Sequence, residues 1–373
     1  MKVKLETFLR ETTEKTTVNN QYPVLTSSKS GLYLQSDYFN KQVASKDNTG
    51  YKIIRKGQFT YRAMSDTGEF FPNMLECAEI GIVSPAYPVF EIIDESFIIP
   101  EYLKYFFKSD VFQHSIASFV QGSTRTSVKF GKLKTISIEI PEKEKQYQII
   151  KILNTAEKII DRRKIELQQL NELVKARFVE MFGDPVANPH GFEKVSLSEL
   201  ADIRIGPFGS LLHKEDYIEG GYTLLNPSHI IDGKIVPDNK LTISAQKYEE
   251  LSAYHLEIDD VVMGRRGEMG RCAVVTDDGY LCGTGSLLIR TKGEVTADYI
   301  QKVISFPSFK KTIEDMAVGQ TMPNLNVPIV SNFQIIKPPI EVQKNYYAFV
   351  EQVDKSKFEI QRYLKNFKEC AKF

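Results

Sequence analysis

The chain has 373 residues, 42% of them hydrophobic and 26% charged, which is typical of about two soluble globular domains. Its 48 basic and 48 acidic residues give zero net charge, so it lacks the basic excess of a free-standing DNA-binding protein. DNA binding through a basic cleft, or within a larger complex, is still compatible with this charge. The sequence has no run of about twenty apolar residues, so no membrane span is predicted. The start of the chain has no apolar signal segment. The four scattered cysteines lack metal-binding spacing and predict a reducing cytoplasm.

The first segment, residues 1–140, has the pattern of a domain that mixes strands and helices. Alternating apolar residues predict strands around Ile53–Ile54, Phe59–Tyr61 and Ile80–Val83. An apolar stripe then predicts one helix over about residues 100–120. These patterns indicate the α+β class.

A long helix is predicted next, over residues 141–186. Pro141 and the acidic residues after it favour a helix start, and the breakers that begin at Gly183 favour an end. Most of its seam positions are apolar and recur every seven residues, a spacing typical of a coiled coil. The two series are Leu153, Ile160, Leu167, Val174, Met181 and Ile149, Ala156, Arg163, Leu170, Arg177.

Residues 187–337 repeat the pattern of the first segment. Short strands are predicted at Tyr222–Leu225, Val261–Val262, Cys272–Val275 and Ser286–Ile289. A helix is predicted at about Ala297–Ile304, ending before Pro307. We therefore expect a second α+β domain, β-rich with helices, built on the plan of the first.

A second long helix is predicted over residues 338–373. Its seam follows the series Tyr346, Val353, Ile360, Phe367 and Val350, Lys357, Leu364, Ala371. A whole domain separates the two long helices and can bring the chain back, so we expect them to pair as an antiparallel coiled coil. Packing of each helix on its own domain alone is the alternative.

The two halves of the chain share one register. Gly319 lies 197 residues after Gly122, Pro338 lies 197 residues after Pro141, and Gln343 matches Gln146 at the same offset. Two like domains and two like helices in one polypeptide make a pseudo-twofold object. Such an object suits a target that itself has two halves, most commonly duplex DNA.

The motifs of a catalytic DNA-modifying enzyme are missing from the sequence. Asn226-Pro-Ser-His229 lacks the second proline and the aromatic ring of an adenine methyltransferase loop, and no Gly-x-x-x-x-Gly-Lys-Ser/Thr loop for ATP occurs. Gly283-Thr-Gly285 is a weak nucleotide motif, for which a close-packed turn is favoured. Convergent carboxylates and ligand-spaced histidines are also missing. The sequence predicts no catalysis by the chain itself.

Binding chemistry is concentrated instead in loops. Gly264–Arg271 predicts a glycine-punctuated turn between strands with three arginines, which can read guanine edges or grip phosphate. A solvated hairpin with ordinary salt bridges explains the same pattern equally well. Small polar loops recur at matching places in both halves, although they could simply shape turns. The predicted DNA-binding residues are Arg62, Thr124, Arg125, Ser210, Lys214, Arg265, Arg266, Arg271, Thr321 and Asn324.

Three segments resemble recurrent signatures of one protein family. These are Val179–Phe192 after the first long helix, Asp202–Ser210 in the second domain, and Pro338–Gln343 before the second long helix. Over its whole length the chain resembles the specificity subunit of a type I restriction–modification system. Pro141–Gln146 departs slightly, with lysine where that family often has leucine and glutamate.

The resemblance implies two target recognition domains, residues 1–140 and 187–337, each reading one half of a bipartite, asymmetric site in double-stranded DNA. It implies that the long helices, residues 141–186 and 338–373, set the spacing between the half-sites and dock two modification subunits. Those subunits would bind S-adenosylmethionine and methylate a flipped-out adenine, and restriction subunits would supply ATP- and Mg-dependent translocation and cleavage. The chain would itself hold no cofactor, contact no membrane and work in the cytoplasm.

Two other functions stay open beside this interpretation. The chain could be a coiled-coil adaptor with two protein-binding domains, or a stand-alone DNA methyltransferase. The missing methyltransferase and ATP loops argue against the second alternative. Loss of DNA binding on changing the arginines of the Gly264–Arg271 turn would separate DNA recognition from the adaptor role.

Overall fold

The computed structural model describes the chain over residues 2–38, 47–119, 126–316 and 324–370. Contacts divide the chain into two compact units. The first unit is Met1–Ile165 together with Ile360–Phe373, and the second is Glu166–Glu359. Each long helix therefore contributes residues to both units.

The first unit is built from short strands and short helices that precede a long helix. Its strands are β1 (Lys2–Lys4), β2 (Leu9–Thr12), β3 (Leu25–Ser27), β4 (Leu32–Leu34), β5 (Lys52–Arg55), β6 (Phe59–Thr60), β7 (Met64–Ser65), β8 (Asn73–Met74), β9 (Ile80–Val83), β10 (Val89–Ile92), β11 (Thr126–Ser127) and β12 (Ser137–Glu139). Its helices are α1 (Gln35–Tyr38), α2 (Pro100–Phe106), α3 (Asp110–Ala117), α4 (Phe130–Leu133) and the first part of α5 (Lys143–Phe182). Strands β2, β10, β6 and β8 form an antiparallel sheet in that order, and β1 pairs with β12. The strands predicted in this segment are confirmed.

Aromatic side chains fill the core of the first unit. Phe59 on β6 and Phe90 on β10 are paired in register, fully buried and stacked, with ring centroids 5.6 Å apart. Phe107 and Phe112 meet edge to face at 4.9 Å just after α2 and on α3. Such buried aromatic contacts contribute apolar area together with a favoured ring geometry. The helices are thereby fixed against one face of the sheet.

The single helix predicted over residues 100–120 is wrong, because two helices, α2 and α3, occupy its described part. The break is at Ser109, whose extended backbone begins a new helix and whose hydroxyl accepts a hydrogen bond from Phe112 N at 3.3 Å. Serine followed by aspartate is a strong helix-start signal. The apolar stripe hid this signal, since both helices face the same core.

The second unit repeats this plan, with a second four-stranded sheet beside the antiparallel one. Its strands are β13 (Lys194–Ser196), β14 (Ala201–Ile205), β15 (Tyr217–Ile218), β16 (Tyr222–Leu225), β17 (Ile230–Ile231), β18 (Lys234–Ile235), β19 (Thr242–Ile243), β20 (Asp260–Gly264), β21 (Cys272–Val274), β22 (Tyr280–Cys282), β23 (Ser286–Thr291) and β24 (Gln334–Ile336). Its helices are α6 (Leu197–Leu200), α7 (Ala245–Glu250), α8 (Ala297–Ile304), α9 (Pro307–Met316), α10 (Val327–Ser331) and α11 (Ile340–Cys370), beside the end of α5. One antiparallel sheet has the order β14-β23-β20-β21, and a mixed sheet has the order β15-β19-β16-β22. The predicted strands and the helix Ala297–Ile304 are confirmed.

The ends of the two repeats are equivalent in structure as well as in sequence. In the first unit β1 pairs with β12, and in the second β13 pairs with β24, each as a three-residue antiparallel ladder. Each pair joins the start of its domain to the strand that leads into a long helix. The duplicated plan of the chain is therefore a property of the fold.

Within the second unit, the last turns of α5 pack against the first turns of α11. Phe178 and Phe182 are fully buried and lie 5.5 and 5.4 Å from the ring of Tyr346. The Tyr346 hydroxyl donates a hydrogen bond to Val174 O at 3.2 Å, and Val353 belongs to the same apolar cluster. Because the end of one helix meets the start of the other along this seam, the two helices pair in antiparallel orientation, as predicted.

The architecture is thus α+β, with two repeated domains and two long helices. Among the residues that the structure describes, no helix is long and apolar enough to cross a membrane. A cytoplasmic location stays a prediction.

Candidate nucleic-acid interface

Several loops of the second unit meet at one end of its sheets. Strands β14 and β20 end where their common neighbour β23 begins, since Ile205 pairs with Leu287 and Gly264 with Ser286. Strands β16 and β22 are parallel and also end together. We call the loops that follow these strands the second-domain loop cluster. It consists of residues 206–209, 226–229, 264–271 and 283–285, with residues 324–325 bound beside them.

Glycines allow the backbones of this cluster to touch. A β-carbon on Gly206 would collide with the carbonyl of Gly283, and one on Gly283 would collide with Asn226 Oδ1 and Leu225 O. Only glycine permits such a close approach of backbone to backbone. The Gly283-Thr-Gly285 motif is therefore a close-packed turn, as predicted, and its glycines serve packing within the protein.

Main-chain hydrogen bonds then fix the cluster as one body. Gly206 N donates to Ser286 O at 3.1 Å, Arg265 N to Gly285 O at 2.9 Å, and Gly283 N to Leu225 O at 2.9 Å. The fully buried Ser286 adds a bond from its hydroxyl to Leu225 O at 2.8 Å. Loops held in this way keep their exposed side chains in fixed positions. A surface that reads DNA bases requires such fixed positions.

Arg271 braces the turn from within. Its guanidinium donates to Pro227 O at 3.2 Å and to Glu268 Oε2 at 3.2 and 2.9 Å. Glu268 is also bound by Lys310 at 2.9 Å, and the hydrogen bonds from these two cations lower the pKa of its carboxyl. Arg271 thus matches the hairpin salt bridge that the sequence left open as an alternative.

Arg265 ties the turn to the segment that leads into α10. Its Nε donates to Leu325 O at 3.0 Å, and its own carbonyl accepts from Leu325 N at 3.0 Å. The side chain is half-buried, and burial together with the neighbouring Arg266 lowers the pKa of the guanidinium. Among the described residues, the two terminal nitrogens of Arg265 have no hydrogen-bond partner, and the Nε contact sets the direction of the side chain.

Arg266 differs from both neighbours because it is exposed at the tip of the turn. Within the described part of the chain it has no hydrogen-bond or ion-pair partner. Its planar fork of donors can therefore pair with two acceptors on a guanine edge or with a phosphate. Of the three arginines in the turn, Arg266 is the one best placed to contact a ligand.

Phe208 is an exposed aromatic residue that the sequence analysis did not single out. It lies between Pro207 and Gly209, and 57% of its surface is exposed on the same cluster. Its signal was an aromatic residue within a glycine-flanked polar loop. An exposed ring on a rigid loop can make apolar contact with a base or a sugar.

The remaining predicted residues of the second unit are Ser210, Lys214, Thr321 and Asn324. Ser210 belongs to the turn Gly209–Leu211, and Lys214 is exposed at the start of the turn Lys214–Asp216. Asn324 Oδ1 is buried and has no hydrogen-bond partner among the described residues. Thr321 lies outside the described residues. All four stay predictions as DNA contacts.

His229 is a buried, structural member of the cluster. It is buried in the turn Pro227–His229, and its Nδ1 accepts a hydrogen bond from Asn226 N at 3.1 Å. Burial lowers the pKa of its imidazole, which keeps the ring neutral at neutral pH. The described residues contain no cluster of three or more histidine, cysteine or acidic side chains that could hold a metal ion.

The first unit has a matching junction with different side chains. Val128 N donates to Ala63 O at 3.0 Å, just as Leu325 N, 197 residues after Val128, donates to Arg265 O at 3.0 Å. Arg62 is exposed immediately before this junction and lines a cavity of about 300 Å³ with Lys29. Thr124 and Arg125 precede the junction and lie outside the described residues. The two units therefore share the base of the loop region and differ in the side chains that they present.

Comparison with known proteins gives consistent matches along the chain. The family model of the type I restriction modification DNA specificity domain matches it twice, over residues 5–172 and 189–366. The MjaVIII type I restriction enzyme specificity subunit of Methanocaldococcus jannaschii is 22% identical over 367 residues, covering 91% of this chain and 83% of that protein.

Solved structures show the same fold. A type I restriction–modification S subunit from M. genitalium has a TM-score of 0.53 at 13% identity, covering all of this chain and 93% of its own. A chain from work on complex assembly and conformational transition of the type I R-M system has a TM-score of 0.62 at 17% identity, with coverages of 100% and 95%.

Proposed function

Because the chain belongs to the family of type I restriction–modification DNA specificity domains, we propose that each of its two units reads one half of a split DNA site. The chain is a DNA-recognition subunit of such a system. The observation that carries the proposal is the second-domain loop cluster, which presents Arg266 and Phe208 from a close-packed base. The first unit shares the junction but differs in its exposed side chains, so the two half-sites differ in base sequence.

The long helices are proposed to set the spacing between the half-sites and to dock two modification subunits. Support comes from apolar side chains that α5 leaves in solvent, where exposure reaches 67% for Ile152, 41% for Ile159 and 56% for Ile165. Ile152 and Ile159 are seven residues apart, which puts them on one stripe of the helix. A repeated exposed apolar stripe on a long helix is typical of a surface that another protein covers.

Catalysis is proposed to belong entirely to the partner subunits. S-adenosylmethionine would bind to the modification subunits, and ATP and Mg to restriction subunits that join the complex. This chain would supply the recognition of the DNA sequence. The absence of methyltransferase and ATP motifs from the sequence supports this division.

Purified proteins test this division of labour. A complex of the chain with its modification subunit is expected to transfer methyl groups from S-adenosylmethionine to plasmid DNA that carries the site. The chain alone is expected to transfer none, and the modification subunit alone is expected to lack a sequence preference. Methyl transfer by the chain alone would contradict the non-catalytic role.

A further inference from the structure

Two buried glutamines occupy equivalent places at the starts of the two long helices. Gln146 lies in the first turn of α5 and Gln343 in the first turn of α11, and neither side chain has any exposed surface. A buried amide must find partners for its oxygen and its nitrogen, because an unpaired polar group is costly away from water. The partners of these two amides therefore show what each glutamine holds.

In the first unit, Gln146 joins the helix to two other segments. Its Oε1 accepts a hydrogen bond from Ile99 N at 2.9 Å, at the residue that precedes α2. Its Nε2 donates to Phe97 O at 2.6 Å and to Pro141 O at 2.8 Å. One side chain thus clamps the start of α5, the proline linker before it and the entry to α2.

In the second unit, Gln343 makes the same three contacts. Its Oε1 accepts from Thr296 N at 3.0 Å, at the residue that precedes α8. Its Nε2 donates to Glu294 O at 3.5 Å and to Pro338 O at 2.9 Å. Every one of these residues lies 197 positions after its counterpart in the first unit. We call each glutamine with its three partners a helix latch.

We infer that the two helix latches fix the angle at which each recognition domain joins its long helix, and so determine which half-site spacing the protein accepts. This inference rests on the proposed function. Each latch lies within one unit, and its amide has only one orientation that satisfies all three partners. Domain and helix also meet further along each helix, where the Tyr105 hydroxyl on α2 bonds Asn154 and Glu157 of α5. In the second unit Tyr346 of α11 shares an apolar cluster with Tyr299 of α8, but in both units the latch amide holds the first turn of the helix itself. Gln146 and Gln343 are accordingly positioning residues, remote from the DNA-reading loops.

The test uses the complex with its modification subunit and duplexes that carry both half-sites. The gap is the native one, or is longer or shorter by one base pair. Gln146→Met and Gln343→Met keep side-chain length and apolar volume but remove all three hydrogen bonds. We expect each variant to lose at least about tenfold of the preference for the native gap, while binding to a duplex with one half-site is unchanged. Gln148→Ala and Gln352→Ala, at exposed positions of the same helices, are matched controls.

If Gln146 and Gln343 only stabilise the fold, the result is different. Binding would then fall in parallel on every duplex and the gap preference would be unchanged, which would overturn the inference. If a methionine variant does not fold, Gln343→Glu keeps the accepting oxygen, loses both donors and serves as the second variant. A wild-type complex without any gap preference would overturn the proposed function as well, so the two failures are distinguishable.

Discussion

Replacing Arg266 by alanine is expected to weaken binding of the complex to its DNA site by roughly 5- to 150-fold, which corresponds to about 1–3 kcal/mol for one bidentate arginine–guanine contact. The expectation rests on its exposed position at the tip of a braced turn. The fold should be unaffected, because the exposed Arg266 side chain has no hydrogen bond or ion pair with a described residue. Binding constants on cognate and non-cognate duplexes at several salt concentrations measure the effect. A loss confined to the cognate duplex would identify base reading, and an equal loss on both, with a smaller salt slope, would identify a phosphate contact.

Arg271→Ala is the matched control for this experiment, since it removes the same charge from the same turn. Its guanidinium holds Pro227 O and Glu268, so we expect Arg271→Ala to lower the melting temperature of the protein. If both variants lost DNA binding equally and kept the wild-type melting temperature, Arg266 and Arg271 would not differ in role as described. Unchanged DNA binding on Arg266→Ala would remove Arg266 from the interface.

The double change Ile152→Glu and Ile159→Glu is expected to abolish co-purification of the chain with its modification subunit. Both side chains are exposed, so the isolated chain should fold as before. In the complex, two carboxylates would have to be buried in an apolar interface without partners, which costs several kcal/mol each. Pull-down and size-exclusion chromatography measure assembly, and circular dichroism measures the fold.

Lys158→Glu, at another exposed position of α5, is the control for the added negative charge. It is expected to leave assembly nearly unchanged. A double variant that still forms a stable complex would exclude this stripe of α5 as a docking surface. Loss of assembly in the control as well would point to a charge effect on the helix as a whole.

The repeated plan was predictable because duplication leaves a register in the sequence. Positions matched at an offset of 197 residues turned out to have equivalent contacts, as Gln146 and Gln343 show. Heptad spacing also predicted the pairing of the long helices, since a seven-residue repeat requires a partner along one stripe. A helix start was harder to predict where it falls within a continuous apolar stripe, as the helix break at Ser109 shows.

The roles of the individual arginines could not be predicted from the sequence. Three arginines in one turn look alike, yet Arg271 is held by the carbonyl of Pro227, 44 residues away, and Arg265 by the carbonyl of Leu325, 60 residues away. Such long-range contacts leave no periodic trace. The two latch glutamines were visible as matching letters, but their function depends on three backbone groups that only the fold brings together.

The most direct test of the account is genome-wide mapping of N6-methyladenine after co-expression of the chain with its modification subunit in a methylation-free host. The expected result is a split motif with two different half-sites and a fixed gap of unspecified bases. A continuous motif, or a complex that co-purifies and leaves every genomic adenine unmodified, would contradict it. Absence of both methylation and complex formation would favour a coiled-coil adaptor over a DNA-reading subunit.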